Sequence, residues 1–454
     1  MLLTQMLSHS SRSWSRSQQK QTPTTLTFLL AIVPFTSRQF TLPHLSILMS
    51  STFHRQRRRR RGCRRQFSSS LSSPSTLYPL HPPDSRWLAR VVSDADLTWW
   101  DYSLVAASSC IIVGAVVWVP CCLAWAFQKW RKQLGDRNDA STRRRRALYA
   151  ALAVAAVGVY AGWAPQRNHR LGDWLQIRTW KLWKAWIKFL AVEILLDQPK
   201  TQSVVTGGNN NNNPPQSLSE MDAILAFVPH GIFPFAFGVG VLTDFARQVF
   251  GTFRPIVASA VLHVPILGDL VGWLHGLDAN KASVQAALQQ GHRVGVIPGG
   301  ISEMFTGYPR PGCHPDEEYV IVRKGFLRMA VRYNKPVVPI YCFGSTKLFR
   351  RWHLPALETL SNLLRVSVIV FYGVWGLPIP FRQRLTYVVG DPIPPPSPPT
   401  TISTGVGADG TTTVVDEAQV DAMYEQFCQE LHRLFERHKE AYGWGHKTLR
   451  LLSK

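Results

Sequence analysis

From Leu104 to Phe127 the chain runs 24 residues without a charge, and from Ala147 to Ala164 another 18. At about 1.5 Å per residue, helices of those lengths would reach roughly 36 and 27 Å, against a bilayer hydrocarbon core of roughly 30 Å. Trp118, Trp125 and Trp163 fall near the ends, where amphipathic rings favour the membrane interface, and Pro120 is expected to kink the first run. A two-helix membrane hairpin is therefore expected over residues 99–165. Two buried helices of a soluble domain are the weaker alternative, because charge is absent from both runs.

Over residues 174–196 the pattern changes. Lys181, Lys184 and Lys188 share one helical face, while Trp180, Trp183, Ile187 and Leu190 line a neighbouring one. An amphipathic helix lying in the headgroup layer is expected within residues 166–198. The glycine, asparagine and proline cluster of residues 199–220 reads as a loop.

From residue 221 onward, short apolar runs alternate with helical patterns. Strands are expected at Ile224–Val228, Pro255–Leu262, Val294–Ile297, Val337–Tyr341, Val366–Tyr372 and Leu385–Val389. Helices are expected at Pro234–Phe250, Ala282–Gln290, Lys324–Tyr333 and Asp416–Tyr442, the last after a Pro/Thr-rich insertion at 392–413. Such alternation predicts an α/β fold with a largely parallel sheet covered by helices.

Charge changes the picture at one end. The net charge is +23, yet residues 1–83 hold twelve Lys and Arg and no acid, so a basic leader (residues 1–98) carries about half the excess. Its Ser- and Arg-rich composition fits a disordered segment, a transit peptide for a plastid, or a start upstream of the true initiator, with Met49 as the alternative. The remaining excess suits anionic headgroups or phosphates. Arg57–Arg61 suggests nucleic acid only weakly, since no aromatic interleaving or binding module accompanies it; no nucleic-acid partner is expected. Seven scattered cysteines without a C-x-x-C argue against a disulfide scaffold or a zinc site. The hairpin's flanks cannot orient it, because its loop holds eight basic residues and its outer flanks seven.

Three stretches could carry chemistry. Val-Pro-His-Gly, residues 228–231, follows a predicted buried strand, where an open α/β sheet places ligands. His230 has a side chain able to take and return a proton near neutrality, and Gly231 permits close backbone approach. Ile297–Glu303 follows another strand. Gly299 and Gly300 there could present backbone N–H groups to an oxyanion, and the Glu303 carboxylate could steady an imidazolium, with Asp244 or Asp269 as substitutes. In Val322–Gly344, Arg323 and Lys324 open a helix as candidate phosphate binders. Each stretch alone also fits a plain role: a capped turn, a glycine turn, a solvated helix face.

In this order the three stretches resemble the type-two diacylglycerol acyltransferase family, with its monoacylglycerol acyltransferase and wax synthase relatives. The resemblance covers roughly residues 100–450. The family's H-P-H-G stands here as Val-Pro-His-Gly, keeping its second histidine at His230. Its G-G-x-x-E matches Gly299, Gly300 and Glu303, and its R-x-G-F block matches Arg323, Gly325, Phe326, Ala330, Val338, Pro339, Phe343 and Gly344. Val228 replaces the first histidine, Asn334 a glycine, and Ser345 the acid after Phe-Gly. Phe235 stands where a glycerophosphate acyltransferase would carry the aspartate of H-x-x-x-x-D.

The resemblance implies a membrane-anchored acyltransferase domain at 221–454 and transfer of a fatty acyl group from acyl-CoA to diacylglycerol. His230 would be the catalytic base and Glu303 its partner. Gly231, Gly299 and Gly300 would hold the oxyanion, and Arg323 and Lys324 the phosphates of acyl-CoA. It implies acyl-CoA as co-substrate with no cofactor or metal, a lipid hydroxyl acceptor, membrane lipids as partners, and the endoplasmic reticulum membrane and lipid droplets as the location. A homo-oligomer is compatible with it. Monoacylglycerol, a long-chain alcohol or a sterol are alternative acceptors, and a membrane-anchored lipid-binding or scaffold protein is the alternative outside the enzymes.

Overall fold

A computed structural model describes residues 81–82, 85–90, 97–115, scattered helical positions between 118 and 155, 174–197, 217–364 except 243, 263, 265 and 266, 367–396, 400–403, 411–414 and 416–453. The expected leader up to residue 80 and most of the second apolar run lie outside the described residues.

The described strands are β1 (Ser85–Arg90), β2 (Glu193–Asp197), β3 (Ile224–Val228), β4 (Arg254–Val257), β5 (Leu277–Asp278), β6 (Val294–Val296), β7 (Glu317–Val322), β8 (Val337–Phe343), β9 (Arg350–Arg351), β10 (Phe371–Tyr372), β11 (Thr386–Val389), β12 (Thr400–Ser403), β13 (Thr411–Val414) and β14 (Thr448–Ser453). The helices that matter are α1 (Trp99–Ile112), α2 (Lys181–Phe189), α3 (Phe235–Leu242), α4 (Asp244–Phe250), α5 (Leu267–Trp273), α6 (Lys281–Gln289), α7 (Gly300–Met304), α8 (Gly325–Arg332), α9 (Pro355–Leu364) and α10 (Glu417–Tyr442).

Eight strands form one mixed sheet in the order β1-β2-β11-β8-β3-β6-β4-β5. β8, β3, β6, β4 and β5 run parallel, whereas β11 is antiparallel to β8, and β1 to β2. β3 is buried along its whole length, which is why it reads as a continuous apolar run. Its residues alternate between two cores. Leu225 and Phe227 pack with Trp183, Trp186, Phe237 and Phe250, while Ile224, Ala226 and Val228 pack with Leu327, Val331, Phe427, Leu431 and Phe435. Burying each such large side chain stabilises by roughly 1.5–3 kcal/mol. Helices therefore cover both faces, and the C-terminal end of β3 opens at a rim.

Several expectations change. The run Pro234–Phe250 forms two helices, α3 and α4, and Pro255–Leu262 forms β4 followed by a helical turn. The expected headgroup helix is the nine-residue α2, whose Trp183, Trp186 and Ile187 are buried in the core, while Trp180 is exposed. Past it, Ala191 adopts φ 42°, which no α-helix continues, and the chain enters β2. β2 lies between β1 and β11, so the sheet takes in strands well before residue 221. β7 and β14 pair in parallel from Thr448↔Glu317 to Ser453↔Val322, a pairing too distant in sequence for local pattern to show.

The membrane hairpin is not what the described residues show: among them no helix is long and apolar enough to cross a membrane. α1 starts in a Thr98–Asp101 capping box, and its Val105 and Ser109 are buried. Trp186 Nε1 donates to Ser108 Oγ at 3.0 Å, and Ser109 Oγ donates to the Pro378 carbonyl at 2.5 Å, so the helix is tied to the protein.

Candidate active site

β3 ends at Val228, the Val228–Pro229 bond is cis, and His230 emerges at the rim of the sheet. Gly231 has φ +68°, and a methyl there would lie 2.7 Å from the Ser345 carbonyl oxygen. That turn needs glycine twice, for its backbone angle and for its clearance. Across the gap, Ser345 is buried and its hydroxyl lies within donating distance of the carbonyls of Pro229 (3.3 Å) and Cys342 (3.1 Å). A carboxylate at 345 could donate to neither, so the departure from the family pattern creates a neutral staple between the His230 loop and the end of β8.

The imidazole makes one hydrogen bond among the described residues, from Nδ1 to the Gly231 carbonyl at 2.8 Å. A carbonyl can only accept, so Nδ1 carries the proton and Nε2 keeps a free lone pair. Burial holds the ring below histidine's ordinary 6.5, while the Gly231 carbonyl acts to raise it. At neutral pH His230 is thus a neutral acceptor at the sheet's rim.

Glu303 is buried and contacts His230, but not through the ring. Its Oε1 accepts the His230 backbone N–H at 2.5 Å, and its Oε2 accepts the Ile321 N–H at 3.1 Å. The expected carboxylate–imidazole pair is replaced by a carboxylate that fixes the backbone on either side of the site. Burial pushes its acid value up to about 7, against the two N–H bonds and the nearby Arg323 charge. Asp244, one proposed substitute, is exposed on α4, and neither it nor Asp269 bonds to His230.

Gly299 packs directly on Glu303, so any side chain there would overlap the carboxylate. Gly300 has φ +54° and opens the short α7; Arg323 Nη1 stands 3.7 Å from the point where its Cβ would be. Arg323 Nη2 donates to Ser302 Oγ at 2.5 Å. His230, Gly231, Glu303, Gly299, Gly300 and Arg323 are thereby brought together. Lys324 is not: its Nζ bonds Asp421 Oδ1 at 2.6 Å, and Arg328 holds Glu417 through two bonds of 2.7 and 2.9 Å. These pairs dock α8 on α10.

Two other departures have structural reasons. Val228 is fully buried on the α10 side of the sheet, so the position of the family's first histidine here belongs to the core. Asn334 replaces a glycine at φ 49°, a conformation asparagine tolerates better than most side chains. The sequence did not reveal Ser345 or the Ile321 N–H as parts of the site. Only the missing acid after Phe343-Gly344 pointed toward the first, and nothing in a backbone N–H points to the second.

Compared with known proteins, residues 216–452 match the family described as diacylglycerol acyltransferase. Diacylglycerol O-acyltransferase 2-like protein 6 of Bos taurus is 26% identical over 294 residues, covering 59% of this chain and 76% of that protein. 2-acylglycerol O-acyltransferase 3 of Homo sapiens is 26% identical over 315 residues, covering 63% and 80%. Diacylglycerol O-acyltransferase 2 of Bos taurus is 22% identical over 306 residues, covering 62% and 73%.

Proposed function

The chain belongs to the diacylglycerol acyltransferase family, and we propose that it performs acyl transfer with His230 as general base. It is an O-acyltransferase that moves a fatty acyl group from acyl-CoA to diacylglycerol, forming triacylglycerol. The observation that carries the role of His230 is the Nδ1–Gly231 hydrogen bond, which leaves Nε2 free to accept.

In this reading Nε2 takes the hydroxyl proton as the oxygen attacks the thioester carbonyl. Negative charge develops on the carbonyl oxygen, where N–H groups near Gly231 or Gly299–Gly300 and the Arg323 guanidinium can receive it. The tetrahedral species collapses, breaking the C–S bond, and the imidazolium returns its proton to the departing CoA thiolate. The products are an ester and free CoA. Glu303 acts as a positioning residue, holding the His230 backbone while the Gly231 carbonyl supports the imidazolium through Nδ1.

A positioned base contributes about 10²–10⁴-fold. His230→Ala should lose that much turnover with labelled acyl-CoA and diacylglycerol, while its thermal unfolding stays near wild type. A variant that kept its activity would remove His230 from the mechanism.

Monoacylglycerol is the second acceptor to test, favoured by the likeness to 2-acylglycerol O-acyltransferase 3. A long-chain alcohol and a sterol complete the acceptor panel. We also assign the enzyme to the endoplasmic reticulum membrane and lipid droplets. Supporting this, Trp99 and Trp100 on α1 and Trp375 and Leu377 are exposed, and the Ser109–Pro378 bond places α1 beside the 375–378 turn. Such an apolar rim suits a lipid surface. Microscopy of a tagged chain tests the location; diffuse or plastid signal would overturn it.

A further inference from the structure

Two residues beyond Ser345, the chain carries a charge that its surroundings leave unbalanced. Glu318 on β7 is 2% exposed at its side chain, and its Oε1 receives both Lys347 Nζ and Lys447 Nζ at 2.7 Å. Its Oε2 receives the Thr346 hydroxyl at 2.7 Å. One carboxylate therefore faces two ammonium groups, and among the described residues no other carboxylate lies within ion-pair distance of either lysine. Lys447 is 7% exposed and also donates to the Pro315 carbonyl, whereas Lys347 remains 37% exposed. Both ammonium groups lie over the buried Trp444 ring, at 5.8 and 4.9 Å from its centroid.

Around the buried Lys447 and Glu318 a surplus positive charge is costly unless an anion shares it. Burial depresses the Lys347 ammonium, Glu318 opposes that, and the neighbouring Lys447 depresses it further. A bound anion would relieve both effects. Lys347 sits on the segment whose start is stapled to the His230 loop by the Ser345 hydroxyl, and Lys447 reaches the same carboxylate from the turn before β14. By contrast, Lys324 and Arg328 already spend their charge on Asp421 and Glu417.

We infer that Lys347 and Lys447, braced by Glu318, form a phosphate-binding subsite for the CoA portion of the acyl donor, with Lys347 as its exposed contact. This rests on the acyl-CoA reading above. Lys447, Glu318 and Thr346 hold Lys347 at the subsite, and Lys347 supplies the charge that reaches the ligand.

The test uses the full-length protein in neutral detergent, comparing wild type, Lys347→Gln and Lys347→Arg. In Lys347→Gln, Glu318 keeps Lys447 and Thr346 as partners, and thermal unfolding checks that the fold survives. Titration calorimetry with free CoA and with pantetheine reads binding directly. Loss of one charged contact corresponds to about tenfold. Affinity for CoA should fall about tenfold in Lys347→Gln and recover in Lys347→Arg, with no matching change for pantetheine. In turnover, the preference for acyl-CoA over acyl-pantetheine should fall by a similar factor. Unchanged CoA binding in a folded Lys347→Gln protein would overturn the subsite. Lysine-dependent CoA binding in a wild type that transfers no acyl group would instead overturn the acyl-transfer reading and leave the subsite standing.

Discussion

Glu303 holds His230 by its backbone: one carboxylate oxygen accepts the His230 N–H at 2.5 Å, and the other accepts the Ile321 N–H at 3.1 Å. Both oxygens of a buried side chain are therefore acceptors facing fixed donors. Glu303→Gln would turn an N–H₂ group against one of those N–H groups, leaving a buried donor unpaired at a cost of about 1–3 kcal/mol. Chemical denaturation should register that loss, and kcat should fall with it as the His230 loop shifts. A variant with wild-type stability and turnover would refute the positioning role.

The same residue sets a pH dependence. Burial raises the folded Glu303 acid to about 7 from its ordinary 4.5. Between those values the folded protein binds more protons than the unfolded chain, so the Glu303 contribution to stability declines as pH rises through that window. Urea midpoints of wild type, measured between about pH 5 and 8, should show this decline relative to Glu303→Gln, which has no such proton to lose. Parallel profiles would contradict it.

Gly231 tolerates no side chain at φ +68°, 2.7 Å from the Ser345 carbonyl. Gly231→Ala should cost about 1–2 kcal/mol through its left-handed backbone alone. Because the strained turn carries His230, kcat should drop more than the melting temperature implies. Circular dichroism melts alongside turnover would separate the two effects.

Lys324 and Arg323 are neighbours in sequence with different fates. Lys324→Ala breaks an exposed pair with Asp421, worth less than about 1 kcal/mol, and should leave the KM for acyl-CoA close to wild type. Arg323→Ala removes a guanidinium standing beside Gly300 and should impair turnover. Equal effects would undo this distinction.

Asp197, at the end of β2, is wholly buried beside Arg433 (2.5 Å), Arg437 (3.2 Å) and His438 (3.3 Å). Burial opposes its ionisation, but His438 and the two arginines outweigh that and hold its carboxyl below the ordinary 3.8. Its stabilisation is present above that ordinary value and is lost as pH falls through the lower folded one. Asp197→Asn should cost about 2 kcal/mol at neutral pH, by removing the buried charge that Arg433, Arg437 and His438 converge on, although Arg433 keeps Glu430. A urea midpoint that did not move would show the cluster to be dispensable.

By itself the sequence determined the elements whose signal is local. β3 and β8 announce themselves as apolar runs, and α10 as a long periodic stretch between Asp416 and Gly443. The ordered motifs were enough to select His230, Glu303 and the glycines. What only tertiary structure decided was who touches whom. Glu303 meets His230 across 73 residues and Ile321 across 18; Lys324 meets Asp421 across 97. β2 hid inside an apparent helix because its neighbours β1 and β11 come from distant segments. Hydrophobic period and glycine placement act within a few residues, so they are written along the chain. A hydrogen-bond partner or a shared charge, such as Glu318 between two lysines, exists only once folding has brought separate segments within about 3 Å.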